Sequence, residues 1–417
     1  MTVLVNYLSK HLYYPTQLNT IPSSDLGMVV VIPCYKEENI TNILQSLYDC
    51  QRPNCSVEVI VVVNAPENAD SDELEINKLR ITDFYQWVGK HHDPDLTFYL
   101  LNFDRLPAKD AGVGLARKLG MDEAVNRFQQ IRNPDGIIVN IDADCTCSKN
   151  YLIAIESEFA DKKTKACSIR FEHPHKGIDF SQENYEAIIQ YELYLHYYIL
   201  SLRKTGHPFA FHTIGSAFAV RASVYAMQGG MNKRKAGEDF YFLQKVIPLG
   251  GFTELNDACV YPSPRSSVRV PFGTGASIEK LLKSEKNIYE TYALQAFEDL
   301  EHFFKRVVSY YTKGNYNDLL MKTEEPLKSF LSAHDYLSHI TEIQRNTATQ
   351  KAFMLRFYRW FNAFMVLKYM NYCHEHNYKR KPIFEMARLY LSKYEKVDAS
   401  EYSNIELLFY FRRLMYG

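Results

Sequence analysis

Four short apolar runs, Met28–Ile32, Val57–Val63, Leu96–Leu101 and Gly136–Ile141, three of them rich in valine and isoleucine, punctuate the first 150 residues. Each is too short for a buried helix and too uniformly apolar for a strand with one wet face. They therefore predict strands buried on both sides, as in a parallel sheet covered by helices. The intervening stretches, such as Asn39–Tyr48 and Gly112–Phe128, carry apolar residues at spacings of three and four, which predicts helices and successive βαβ units. Ala166–Phe171 reads as a further strand, Gln182 to Arg203 as a long helix, Phe209–Val220 as extended chain and Asp239–Val246 as a helix. A Pro/Gly-rich stretch from Tyr261 to Gly275 reads as loop, and beyond it the periodicity is helical. The expected fold class is α/β, a mostly parallel sheet flanked by helices with a C-terminal helical appendage. The expected division is an N-terminal extension (1–27), an α/β domain (28–275) and a helical region (276–417).

At 417 residues the chain exceeds one ordinary domain of roughly 100 to 200 residues. A formal charge of -1 supplies no global field to recruit a polyanion, so no nucleic-acid partner is expected. The N-terminus has no basic start followed by an apolar run, and Ala352–Met370, the most apolar long stretch, is interrupted by Arg356 and Arg359. That stretch reads as an amphipathic helix with at most peripheral membrane contact through Arg356, Arg359 and Lys368, and the expected location is cytoplasmic. None of the eight cysteines forms a CxxC pair, so reduced and mostly buried thiols are expected, Cys145 and Cys147 included. His91, His92, His173 and His175 read as surface or structural residues.

Chemistry concentrates where strands are predicted to end. Ile137–Ile141 runs into Asp142-Ala143-Asp144, and extended geometry would put both carboxylates on one side. Two like charges so close repel unless a cation lies between them or one is protonated. Oxygen-only ligation favours magnesium or manganese. Gly237-Glu238-Asp239, a second acidic pair, immediately precedes an apolar helical run.

The first strand runs into Pro33-Cys34-Tyr35-Lys36-Glu37, and here the sequence resembles the family 2 glycosyltransferases of GT-A fold, whose first strand ends in a Pro-x-Tyr/Asn-x-Glu turn. The resemblance continues in order over about residues 28–275. Val57–Val63 is similar to the family's second strand, and Gly112 with Ala116-Arg117-Lys118-Leu119-Gly120 resembles its G-x-x-x-A-R-N-x-G helix. Asp142-Ala143-Asp144 falls at its DxD, Gly215-Ser216 and Arg221 resemble its acceptor-side segment, and Gly237-Glu238-Asp239 matches its later acidic motif. The chain departs from the family at Val63-Asn64, where acidic residues are usual, at Asp110 and Lys118, where asparagines are usual, and in having no histidine between Asp239 and His302.

What the resemblance implies is an inverting transfer of a sugar from a nucleoside-diphosphate donor to a glycan, lipid-linked or small-molecule acceptor. Asp239, with Glu238, would be catalytic. Pro33, Tyr35, Glu37, Asn64, Arg117 and Asp142 would line the nucleotide site. Asp144 and Asp142 would hold manganese or magnesium. Arg265 and Arg269, with Gly215 and Ser216, would face diphosphate or acceptor. The region after about residue 276 carries no nucleotide loop or metal spacing in its sequence, so its helices are expected to flank the acceptor site without adding a second chemistry. Two alternatives stay open: a haloacid-dehalogenase-like phosphatase using the DxDxT at 142–146, and an inactive carbohydrate-binding relative.

Overall fold

The computed structural model describes residues 2–267, 269, 273–312 and 314–417. Val268, Val270, Pro271 and Phe272, within the loop expected over Tyr261–Gly275, lie outside the described residues. The chain divides into two compact units, Met1–Ile178 with Thr213–Ala276, and Asp179–His212 with Ser277–Gly417.

In the first unit the chain runs α1 (Val3–His11), β1 (Leu26–Cys34), α2 (Thr41–Tyr48), β2 (Ser56–Pro66), α3 (Ser71–Val88), β3 (Leu96–Leu106), α4 (Val113–Gln130), β4 (Ile137–Asn140), β5 (Thr146–Cys147), α5 (Tyr151–Glu158) and β6 (Ala166–Phe171). After the long helix α6 (Gln182–Lys204), which belongs to the second unit, it returns through β7 (Phe218–Arg221), α7 (Ala222–Met227), α8 (Glu238–Val246) and β8 (Phe252–Tyr261). The eight strands form one mostly parallel sheet in the order β3-β2-β1-β4-β7-β6-β8-β5, flanked by helices. β1, β2, β3 and β4 are mutually parallel neighbours, as uninterrupted apolar strands require, and β7 runs against both β4 and β6. The stretch expected to be extended from Phe209 pairs only over Phe218–Arg221. β8, whose polar alternation hides it in sequence, pairs in parallel with β6.

Helix α4 lies unusually close to the sheet. A Cβ on Gly120 would come within 2.4 Å of Val31 Cγ1 and 2.9 Å of Val62 Cγ2, so only hydrogen fits there. α1 is tied to α4 by a buried network: Tyr7 donates to Asp122 Oδ1 at 2.6 Å, and Lys118 Nζ lies 2.9 Å from the same carboxylate's Oδ2. Lys118 thus fills a structural position. Among the described residues no helix is long and apolar enough to cross a membrane. The amphipathic helix expected over Ala352–Met370 is two helices, Gln350–Trp360 and Ala363–His376, because Asn362 caps the second through the N–H groups of Phe364 and Met365.

The second unit is helical, and α6 packs there against Ile278 and Leu281 through Ala187, Ile188 and Tyr191. Its His207 is buried with both ring nitrogens committed. Nε2–H donates to the Phe361 carbonyl at 2.9 Å, and Nδ1 accepts from the Phe209 N–H at 3.3 Å. A second ring proton would face that N–H, and burial already pulls the imidazole down to about 4. The unfolded chain, titrating near 6.5, therefore takes up the proton first as pH falls, so this contribution is intact above about pH 6.5 and declines toward pH 4. Denaturant melts should lose about 3 kcal/mol of stability over that window through His207. A folded His207→Gln protein should have a flatter pH profile, and an unchanged profile would show that His207 is not responsible.

Candidate functional site

The site forms where β1 and β4, adjacent parallel strands, reach their carboxyl ends, the general place for ligands in open α/β sheets. Beyond β1 the backbone turns sharply at Lys36, which adopts a left-handed conformation (φ 51°). The turn is held from α3: the Lys36 N–H donates to Asn77 Oδ1 at 3.1 Å, and Lys36 Nζ lies 2.8 Å from Glu73. A left-handed lysine costs of order 1 kcal/mol or more and persists because its surroundings fix it. The consequence is that Glu37, only 7% exposed, is aimed into the site.

Beyond β4 the chain leaves the sheet at Asn140. Asp142-Ala143-Asp144 forms a turn closed by the Cys145 N–H donating to the Asp142 carbonyl at 3.1 Å. This corrects the expectation of an extended segment. The carboxylates diverge, Asp142 meeting Arg117 (2.6 Å) and Asp144 meeting Nε of Arg265 (2.8 Å). Both remain partly open, with side chains 33% and 25% exposed.

Arg117, on the first turns of α4, is the hub of one half. Its guanidinium is buried and bridges Asp142 to Glu238, the first residue of α8. Gly237 precedes α8 in a left-handed conformation without any side-chain cap, so Glu238 and Asp239 occupy the first helical turn where the dipole favours negative charge. Asp239 Oδ1 accepts from the Phe240 N–H at 2.7 Å. Arg265 is the hub of the other half, joining Asp144 to Glu37 Oε2 at 2.6 Å, while Arg269 reaches Glu37 Oε1 at 2.8 Å and the Tyr35 carbonyl.

The charges do not balance. Five carboxyl groups (Glu37, Asp142, Asp144, Glu238, Asp239) meet three guanidiniums (Arg117, Arg265, Arg269), a formal excess of two acidic groups that protonation relieves in part, since burial and the neighbouring Asp144 lift Glu37 to about 8. Burial, with Asp239 adding repulsion, lifts Glu238 to about 7 against the pull of Arg117. Burial, with Asp142 adding to it, also raises Asp144 and Asp239.

Among the described residues no group of three or more His, Cys, Asp or Glu is arranged to hold a metal ion. Asp142 and Asp144 nevertheless present oxygen donors, each with one oxygen not engaged by an arginine, beside an unbalanced negative cluster. That donor set fits a hard divalent cation whose remaining ligands come from a bound anion and water.

The remaining residues named from sequence divide. Glu37, Arg117, Asp142, Asp144, Glu238, Arg265 and Arg269 are brought together. Pro33 is buried in β1 and Tyr35 is half-buried at its end. Asn64 is 2% exposed in β2, with its backbone carbonyl held by Asn77. Ser216 is buried beside Cys145. Arg221 is structural, its guanidinium donating to the carbonyls of Thr164, Asp135, Phe159 and Asp161. The clamp of two arginines on Glu37 has no local signal in the sequence, since its members lie more than 220 residues apart.

Gly215 is the wall behind Arg117, and a Cβ there would fall 2.5 to 2.7 Å from the guanidinium. Gly215→Ala should displace Arg117 from Asp142 and Glu238, with a loss of about 1–3 kcal/mol in denaturant melts from overpacking. A variant as stable as the parent, with Arg117 unmoved in its structure, would refute the close approach.

No protein-family model matches the chain, and no curated protein sequence matches it. Among solved structures it is similar to residues 1–349 of S. aureus TarS in complex with UDP-GlcNAc, at 13% identity and a TM-score of 0.40, over 85% of this chain and 93% of that one. It is also similar to the mannosyltransferase PcManGT from Pyrobaculum calidifontis in complex with GDP-Man and Mn2+, at 15% identity and a TM-score of 0.35, over 99% and 93%.

Proposed function

We propose that the chain is an inverting glycosyltransferase of the family 2, GT-A type that moves a sugar from a nucleoside-diphosphate donor to an acceptor hydroxyl. The observation that carries the reading is the unbalanced cluster at the strand ends, with the acidic groups of β1, β4 and α8 in one place. Asp144 and Asp142 are the residues that would hold manganese or magnesium. When bound, such an ion neutralises charge growing on the leaving diphosphate, Lewis-acid assistance worth several kcal/mol.

The protein's own groups do the rest. Arg265 and Arg269 stand on the same side as Asp144 and supply guanidinium donors to phosphate oxygens. Arg117 is a positioning residue that fixes Asp142 and Glu238. Asp239 accepts the proton of the acceptor hydroxyl as its oxygen bonds to the anomeric carbon and the carbon–oxygen bond to the diphosphate breaks on the opposite face. Burial raises the basicity of that carboxylate, and a positioned base contributes roughly 10² to 10⁴ in rate. Its second oxygen is not needed by the Phe240 N–H.

Two measurements test the reading. Calorimetry with UDP and with GDP should give binding that requires manganese or magnesium and is lost in Asp144→Ala, and metal-independent binding of both nucleotides would reject the cation role. Asp239→Asn keeps shape and its hydrogen bond from Phe240, so donor binding should persist while transfer falls by about 10² or more. Near-normal transfer by that variant, or a product of retained anomeric configuration, would overturn the assignment of the base.

A further inference from the structure

Cys145 and Cys147 form a CxC in sequence, yet the thiol nearest Cys147 belongs to a different part of the chain. Its Sγ lies 3.6 Å from Sγ of Cys50, the second residue beyond α2. Ser46, one turn back on α2, fixes the orientation: its hydroxyl accepts from the Cys147 N–H at 2.9 Å and lies 3.5 Å from the Cys147 sulfur. A disulfide has its sulfurs about 2.05 Å apart, so a closure of roughly 1.5 Å, within reach of small side-chain rotations, separates the dithiol from the bond. We infer that Cys50 and Cys147 are a reversible oxidation site, a vicinal thiol pair that a peroxide converts to an intramolecular disulfide.

The surroundings make the two sulfurs unequal in the way such chemistry needs. Cys50 is held below the usual thiol range by the hydrogen bond from Cys147, with Arg52 and the Leu152 N–H in the first turn of α5 acting in the same direction against burial. Cys147 is pushed up by the same partnership and by burial, so it keeps its proton. The contacts of the pair favour ionisation at Cys50 over Cys147, which orders the two steps. Cys50 is 4% exposed and Cys147 is half-buried, which hinders a bulky disulfide reagent more than a molecule of peroxide size.

In the first step the Cys50 thiolate attacks one peroxide oxygen, the O–O bond breaks, and the departing hydroxide takes a proton to leave as water, giving a sulfenic acid on Cys50. The Cys147 sulfur then attacks the Cys50 sulfur, the S–O bond breaks, and the hydroxyl leaves as a second water with the Cys147 proton. Two thiols are oxidised by two electrons and one peroxide is reduced to two waters. The bond would lock β5, which follows the Asp142–Asp144 turn, to the end of α2, which follows Glu37.

The test uses the full chain, reduced, freed of reductant, exposed to hydrogen peroxide, alkylated and digested without reductant. Mass spectrometry should find a Cys50–Cys147 peptide pair that dithiothreitol separates, formed on the order of tenfold faster than any other cysteine reacts. In Cys147→Ser the oxidation should stop at a sulfenic acid on Cys50 that dimedone labels. In Cys50→Ser, Cys147 should stay alkylatable, while Cys55→Ser should link as the parent does. Failure of the linked pair to form in the folded parent, its appearance only in urea, or preferential linkage of Cys50 to another cysteine would overturn the assignment. These outcomes are independent of whether the chain binds a nucleotide.

Discussion

Arg117 is the constraint on which the site depends. A buried guanidinium must be paired and hydrogen-bonded or the fold is penalised by several kcal/mol, and the partners available are Asp142, just beyond a strand, and Glu238, opening a helix. Satisfying one cation thus fixes the separation of two acidic loops that lie far apart in sequence. The cation is delivered by α4, and α4 can come close enough because Gly120 faces Val31 and Val62 without a side chain. Gly114 serves the same end near α8, where a Cβ would fall 2.2 Å from the Arg234 carbonyl. Two glycines and one arginine in a single helix therefore set the spacing of the two acidic segments.

Strands β1, β2 and β4 are legible in the sequence because a run of valines and isoleucines has no other economical burial, and β3 and β6 are legible as short, mostly apolar runs. The acidic motifs are legible because strand ends are where an α/β sheet exposes chemistry. β8 is not, because its apolar and polar residues alternate irregularly and its pairing with β6 breaks register between Ile169 and Arg170. The turn at Asp142–Asp144 escapes a sequence reading because local pattern extends a strand until a residue forbids it, and no glycine or proline stands there. Arg221 reads like a ligand-facing residue, yet four backbone carbonyls claim it.

Long-range assembly is the other blind spot. α6 is continuous in sequence with the sheet elements on either side, but its apolar face fits Ile278 and Leu281, so the helical unit is built from two separated stretches of chain. α1 reads as an extension preceding the first strand. Its Tyr7 hydroxyl nonetheless supplies a partner to Asp122, a carboxylate buried at 3% exposure 115 residues away. Nothing in the local periodicity of either segment encodes such a partner, because a helix face records that something covers it and not what does.

Buried arginine–carboxylate pairs recur in this protein, and comparing them separates structural charge from working charge. Arg127 meets both oxygens of Glu58 at 2.8 and 2.6 Å, and Arg412 meets both oxygens of Glu192 at 2.6 and 3.0 Å. Those contacts are bidentate, the arrangement that most fully offsets desolvation. At the strand ends the stoichiometry is broken. Arg117 and Arg265 each divide their donors between two carboxylates, and Asp142 and Asp144 each keep an oxygen outside those pairs. Glu37 is matched on both oxygens by Arg265 and on one by Arg269, so the oxygens left without an arginine include those of the two aspartates. Part of the acidic excess is met by protonation, since burial lifts Glu37 to about 8 and Glu238 to about 7, and under the proposed function the rest is the place of a cationic partner.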